Sequence, residues 1–215
     1  VALQLAVREL MNCGEQVGVM LKKAAEKIDS GDGASVEEFV KSREVTAELT
    51  GKITDYLAEM AAAGVMTEQQ AAQTASLMYI LSDVERMGTL SVEMAECMLE
   101  RSDRKYKYTP EAMDELQKSL KVLNKMFCDS LKALQGDDGI EPGKMMKRKD
   151  KLLDLDIKMR KAHIERVNKG KCKASLTAPF TNILHLIDRM GNSCINLADV
   201  AESGTSMKYF MLEEK

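Results

Sequence analysis

One motif occurs twice in this chain, about half the chain length apart, and this duplication restricts the fold more than any other feature. The first copy, residues 80–88, reads ILSDVERMG, and the second, residues 183–191, reads ILHLIDRMG. The copies share Ile, Leu, Arg, Met and Gly at matching positions, and Glu85 in the first corresponds to Asp188 in the second. A repeat of this kind predicts two halves of similar structure.

Apolar residues recur every three or four positions through most of the chain, which is the period of an amphipathic helix. The segment before the first motif copy and the copy itself carry such a stripe at Leu77, Ile80, Leu81, Val84 and Met87. Only 3 prolines interrupt the 215 residues, and aromatic residues make up 4%. No segment alternates with period two, so no strand is predicted. We predict an all-α fold of six long helices, arranged as two pseudo-symmetric three-helix bundles.

The same repeat predicts the organisation of the chain. Residues 1–101 form the first repeat and residues 110–205 the second, each with three helices. Residues 102–109 form a linker, and residues 206–215 form a tail.

Several local signals place the helix ends. Thr67 and Gln70 form a capping box, and Thr109 followed by Pro110 is a strong helix start. Turn-forming residues at 29–33 and 136–139, together with Gly64 and Gly170, end the helices before them.

Composition excludes several classes of function. The net charge of −3 argues against a strongly basic nucleic-acid binder, and no apolar stretch approaches the ~20 residues that span a bilayer. The 5 cysteines are widely spaced with no CxxC pair, so neither a disulfide framework nor a zinc ribbon is expected. No nucleophile–base pair or phosphate loop is visible, so we predict no enzyme, no catalytic residues and no cofactor.

The repeated glycines and arginines within the motif suggest packing roles. Gly inside a helix costs about 1 kcal/mol relative to Ala. Its recurrence at Gly88 and Gly191 predicts the close approach of a neighbouring helix backbone. Arg86 and Arg189 are expected to pair with carboxylates on neighbouring helices, with phosphate binding as the alternative.

Both motif copies resemble the third-helix signature of the PhoU family, which reads acidic-Arg-Ile-Gly-Asp-His and continues with an Asn-Ile-Ala-Glu-like tail. Residues 195–199 (INLAD) are similar to that tail. Residues 160–172 (RKAHIERVNKGKC) resemble the Arg-x-x-His-Ile-x-Arg-Leu-x-x-Gly-x-Cys stretch of a narrower group. That group comprises the cytoplasmic PhoU-like domains of bacterial sodium-dependent phosphate cotransporters.

The resemblance implies a cytoplasmic accessory or regulatory domain of such a cotransporter, acting through protein contacts. The start at Val1 rather than Met favours this interpretation. The alternative is a free-standing PhoU-type regulator of phosphate uptake and signalling in the soluble cytoplasm. The implied partner is a membrane-embedded phosphate transporter domain at the inner membrane, in the same or another chain. A homodimer and an indirect link to inorganic phosphate are further candidates, and nucleic acid is not expected.

Some members of the family hold metal clusters on acidic motifs, which makes Glu85 and Asp188 the metal-ligand candidates here. Thr89 and Asn192 stand where that pattern has Asp. Other expected acidic positions hold Ala47, Thr50 and Leu153. Because hard cations need several converging oxygen ligands, we expect no resident metal.

Three further features are interpreted from the residues around them. Arg160, His163 and Arg166 are candidates for a partner contact or anion site, although an ordinary surface helix residue is the favoured interpretation of His163. His185, beside the apolar stripe, is expected to be partly buried and hydrogen-bonded. A basic run is expected to be a solvated helix end, with an anionic membrane surface as the alternative partner. It consists of Lys144, Lys147, Arg148 and Lys149.

Overall fold

The computed structural model of the chain describes residues 2–27, 34–102, 107–136 and 140–202. Within these ranges the chain forms six α-helices, one 3-10 turn at Ala174–Leu176 and no strand, which confirms the predicted all-α fold. The helices are α1 (Ala2–Lys27), α2 (Ala34–Ala62), α3 (Glu68–Ser102), α4 (Pro110–Leu134), α5 (Pro142–Asn168) and α6 (Thr177–Glu202).

The helix starts predicted from sequence are made by the expected hydrogen bonds. The Thr67 amide donates to Gln70 Oε1 at 3.0 Å, and the Gln70 amide donates to Thr67 Oγ1 at 3.2 Å, which closes the capping box. Thr109 Oγ1 caps α4 by accepting from the Ala112 amide at 3.3 Å.

The predicted stops also hold where the structure describes them. Gly64 and Gly170 follow α2 and α5 with φ of +67° and +69°, a backbone conformation that favours glycine. Gly136 follows α4 with φ of +86°. The turn predicted at 29–33 and the end of the one at 136–139 lie outside the described residues.

Each half of the chain packs as three helices, and the two halves meet through like elements. Helices α1, α2 and α3 contact one another, α6 contacts both α4 and α5, and α4 contacts α5. Between the halves, α1 packs on α4 and α3 packs on α6. Because the third helix of one half faces the third helix of the other, the two motif copies lie at the same interface. Helices α2 and α5 lie on the outside.

One apolar core continues through both halves. It includes residues from every helix, with Phe127 of α4 and Phe180 of α6 among its largest fully buried side chains. Tyr108, at the end of the predicted linker, is also buried, and its hydroxyl donates to the Leu176 carbonyl at 3.3 Å. The division into repeats at residues 102–109 remains a prediction. None of the described helices has the length and apolar character that crossing a membrane requires.

The motif glycines are close to side chains rather than to a neighbouring helix backbone, which corrects the expectation. A Cβ on Gly88 would have only Val17 Cγ2 near it, at an ordinary 3.8 Å. A Cβ on Gly191 would meet Leu152 Cδ1 at 3.2 Å and the Lys149 stem at 3.4 Å. Gly14, outside the motif, is tighter than either, because the added atom would lie 2.8 Å from Leu131 Cδ2.

Candidate functional site

The motif copies place a buried carboxylate at the contact between α3 and α6. Asp83 is 2% exposed and faces Ser193 and Asn196 of α6. Burial raises the pKa of Asp83 above its usual value, and the Asn196 side chain and the Arg86 charge offset part of that rise. The sequence does carry a signal for Asp83: it stands within the apolar part of the first copy, where the second copy has Leu186.

The two motif arginines bind carboxylates in different ways. Arg189 of α6 reaches Glu93 of α3 at 3.7 Å, as expected for a pair between neighbouring helices. Arg86 instead approaches Asp83, one turn earlier on its own helix, at 3.4 Å. The expectation of a partner on another helix is therefore wrong for Arg86. Both arginine side chains are about half exposed, so each leaves part of its guanidinium at the surface.

An open cavity of about 300 Å³ lies next to the Arg189–Glu93 pair. It is lined by Glu93, Glu96, Cys97, Asn182, His185, Leu186 and Arg189. His185 is exposed at this surface, whereas the sequence pattern predicted partial burial. The polar lining comes from both motif helices, so the cavity is a groove at the junction of the two halves.

The two metal-ligand candidates do not converge. Glu85 is exposed on α3. Asp188 on α6 forms an ion pair with Lys149 of α5, whose ammonium also approaches the Asp188 carbonyl at 3.4 Å. Across the described ranges, no three His, Cys, Asp or Glu side chains group as metal ligands. The residues present therefore do not fit the metal cluster that the family resemblance implies.

The basic run at the start of α5 is partly a structural element, in contrast to the solvated end that was predicted. Arg148 forms an ion pair with Asp129 of α4, with side chains 19% and 10% exposed. Lys149 forms an ion pair with Asp188 of α6. Only Lys144 and Lys147 are exposed. The run thus attaches α5 to α4 and α6.

His163 is 2% exposed, so its interpretation as a surface helix residue is wrong. Its Nε2 lies 3.0 Å from Thr177 Oγ1, at the start of α6. The ring stacks on Phe180, with centroids 4.6 Å apart and planes at 15°. The Tyr108 ring also packs on Phe180, with centroids 5.5 Å apart. The sequence did not predict Tyr108 or Phe180 here because each is an ordinary apolar or linker residue when considered alone.

Arg166 and Arg160, the other partner-contact candidates, have bonds within the chain. Arg166 donates to both carboxylate oxygens of Glu115 on α4, at 3.4 and 3.2 Å, and is 11% exposed. Arg160 is bound to Asp156 on its own helix. His163 therefore connects α5 to α6, and Arg166 connects α5 to α4. Arg160 is bound to its own helix instead.

The buried imidazole gives a pH prediction. Burial and the neighbouring Arg166 charge lower the pKa of His163 below its ordinary value. The unfolded chain therefore binds a proton at higher pH than the folded chain, so the stability that His163 contributes is present above pH 6.5 and is lost as the pH falls below it. We expect His163→Phe to lose less stability than wild type between pH 7.5 and pH 5.5, measured by urea unfolding.

The matched control for this prediction is His185→Phe, which removes the exposed histidine. We expect this control to follow the wild-type pH dependence. An unchanged slope in His163→Phe would contradict the assignment of the effect to the buried ring.

Similarity to known proteins agrees with the family resemblance of the motif. Residues 10–98 match the family model described as the PhoU domain. The chain is 25% identical over 198 residues to phosphate-specific transport system accessory protein PhoU homolog 1 of Thermotoga maritima. That alignment covers 91% of this chain and 84% of the relative. The segment that matches the family model includes most of α1, all of α2 and most of α3.

Two solved structures share the six-helix fold. The crystal structure of PhoU from Pseudomonas aeruginosa matches with a TM-score of 0.84 at 14% identity, covering 93% of this chain and 95% of that one. The phosphate transport system regulatory protein PhoU from Streptococcus pneumoniae matches with a TM-score of 0.77 at 16% identity, covering 91% of each chain. At these identities the similarity shows a common fold.

Proposed function

We propose that this chain is a PhoU-type regulator of phosphate transport that acts through protein contacts rather than through catalysis. The observation that carries the proposal is the alignment over nearly the whole chain with the Thermotoga maritima accessory protein. The duplicated motif supports it, because its two copies meet at one interface in a fold shared with PhoU structures.

The relatives favour the free-standing type of regulator over a domain of a sodium-dependent cotransporter. They are described as accessory or regulatory proteins of phosphate transport systems. The stretch at 160–172, which suggested the cotransporter group, serves internal contacts here: His163 is buried and Arg166 is bound to Glu115. These two side chains are therefore engaged within the chain and do not by themselves identify one transporter as the partner. On this proposal the chain works at the cytoplasmic side of the membrane, beside a component of a phosphate transport system.

The exposed edge of the motif is the surface that we assign to the partner. Glu85 and Arg86 are exposed on α3, and Arg189 lies about half exposed on α6 beside the 300 Å³ groove. Charged side chains at such a rim guide association and orientation more than they add affinity. Glu85 is exposed, and among the residues that the structure describes it forms no ion pair, so it can be changed with little effect on folding.

A membrane-binding experiment tests the proposal. The purified chain is mixed with membrane vesicles from bacteria that contain or lack a phosphate transport system, and bound protein is measured after sedimentation. We expect retention only on vesicles that contain the system, and about tenfold weaker retention for Glu85→Lys. Glu68→Lys, an exposed acid at the far start of α3, is the matched control. Equal retention on both vesicle types would contradict the proposal.

A further inference from the structure

A second open cavity, of about 320 Å³, lies between α1 and α4 and therefore joins the two halves of the chain. We call it the α1–α4 groove. Its volume is at the lower end of the range for small-molecule sites. The apolar part of its lining includes Val19 of α1 and Leu131 of α4, with the Cys128 thiol beside them. No residue of the duplicated motif lines it, so it is separate from the groove at Arg189.

Two glycines of α1 give the relative direction of the helices along this groove. A Cβ on Gly14 would lie 2.8 Å from Leu131 Cδ2, and a Cβ on Gly18 would lie 3.6 Å from Phe127 Cε1. As α1 advances by four residues, its neighbour on α4 moves back by four residues. The two helices are therefore antiparallel, and the position of any lining residue along the groove can be read from this register.

The charged and amide side chains that line the groove lie at its two ends. The register places Lys22 of α1 near Asn124 of α4 at one end, and Glu15 of α1 near Lys132 of α4 at the other. Lys22 and Glu15 are about 10 Å apart along the helix axis. Among the residues that the structure describes, none of the three charged groups forms an ion pair, and Asn124 Oδ1 is buried without a hydrogen-bond partner.

The end at Lys22 and Asn124 is suited to a phosphate group. The lysine ammonium supplies a positive charge and three N–H donors, and the asparagine amide supplies two more donors. Hydrogen bonds between a charged donor and a phosphate oxygen are among the strongest that a protein forms. Because no described carboxylate neutralises Lys22, its charge is available to an anion that enters the groove.

The end at Glu15 and Lys132 is suited to the edge of a guanine base. A carboxylate accepts two hydrogen bonds side by side, and guanine presents two such donors at N1 and N2. The neighbouring ammonium can donate to guanine O6. Adenine has no oxygen at this position, and its N1 is an acceptor that would face the carboxylate. Between the two ends, Val19 and Leu131 provide an apolar surface for the ring.

We propose that the α1–α4 groove binds a guanine mononucleotide, with the phosphate at Lys22 and Asn124 and the base edge at Glu15 and Lys132. Such a ligand contacts one helix from each half, so binding stabilises the folded chain in proportion to the ligand concentration. This inference does not depend on the regulatory role proposed above. Nucleotide binding is measured on the purified chain alone, so either proposal can fail without the other.

Calorimetric titration of the full chain with GMP tests the proposal. We expect a dissociation constant of about 100 μM, and at least tenfold weaker binding of AMP. Lys22→Met should weaken GMP binding about tenfold, because it removes the charge at the phosphate end. Lys125→Met is the matched control, since Lys125 is exposed on α4 and does not line the groove.

A second variant tests recognition of the base. Glu15→Gln replaces one of the two acceptors with a donor, so it should weaken GMP binding about tenfold and leave AMP binding unchanged. Glu9→Gln changes an exposed acid on the same helix, outside the groove, and should bind GMP like wild type.

The Cys128 thiol reports where the nucleotide binds. Cys97 and Cys128 are partly exposed and the other cysteines are buried, so Cys97→Ser leaves Cys128 as the accessible thiol. Its alkylation by iodoacetamide should slow about tenfold when GMP is present at ten times its dissociation constant. GMP binding weaker than about 5 mM, equal affinity for GMP and AMP, or alkylation of Cys128 that GMP does not slow would each overturn the proposal.

Discussion

Phe180→Ala is expected to lower the free energy of unfolding by about 3–5 kcal/mol. Phe180 is 1% exposed and contacts both the His163 ring and the Tyr108 ring, with centroids 4.6 and 5.5 Å away. Truncation removes the apolar surface that the ring buries and leaves a cavity where α5, α6 and the segment before α4 meet. Urea unfolding followed by circular dichroism measures the loss.

Two variants calibrate this result. Tyr79→Ala removes an aromatic ring that is 51% exposed on α3 and should change stability by less than about 0.5 kcal/mol. Phe180→Leu keeps most of the side-chain volume and should cost less than half as much as the alanine variant. A loss below about 1 kcal/mol for Phe180→Ala would mean that the aromatic cluster does not join the helices as described.

Arg148→Met is expected to cost about 3 kcal/mol, because it leaves the Asp129 carboxylate buried without its partner charge. Both side chains of this pair are largely buried between α5 and α4. The net contribution of the intact pair to stability is smaller than this cost, because the attraction between the two charges is largely offset by the removal of both from water. The measurement is again denaturant unfolding at neutral pH.

A double variant separates the two contributions. Arg148→Met combined with Asp129→Leu removes both charges, so it should be more stable than Arg148→Met alone. Lys147→Met changes the adjacent exposed residue and should stay within about 0.5 kcal/mol of wild type. A double variant no more stable than Arg148→Met would contradict the burial of an uncompensated carboxylate.

The fold could be predicted in considerable detail from local signals. The capping box at Thr67 and Gln70 and the start at Thr109 involve residues close together in the chain, so the sequence contains both partners. The helical period of the apolar residues then gives the number of helices. The pairing of α1 with α4 and of α3 with α6 is a tertiary property, and the repeat only suggested that two similar halves would meet.

The candidate site was less predictable because its contacts join distant parts of the chain. Asp129 and Arg148 are 19 residues apart and His163 and Thr177 are 14 residues apart, and no local pattern marks them as pairs. His163 lies on α5, which has a strongly polar sequence, so it was open to interpretation as a surface residue. Arg86 and Arg189 occupy matching positions in the two motif copies, as the repeat indicated. Arg86, however, contacts Asp83 on its own helix rather than a neighbouring helix.

Phosphate uptake in living cells tests the central claim most directly. The chain is produced in a bacterium that lacks its own PhoU, and uptake of radioactive phosphate is measured in phosphate-poor and phosphate-rich medium. Regulation by this chain predicts that uptake falls again in phosphate-rich medium, and that the destabilised Phe180→Ala variant restores less of this response. A chain that accumulates in folded form and leaves uptake equal to that of cells without it, in both media, would contradict the account.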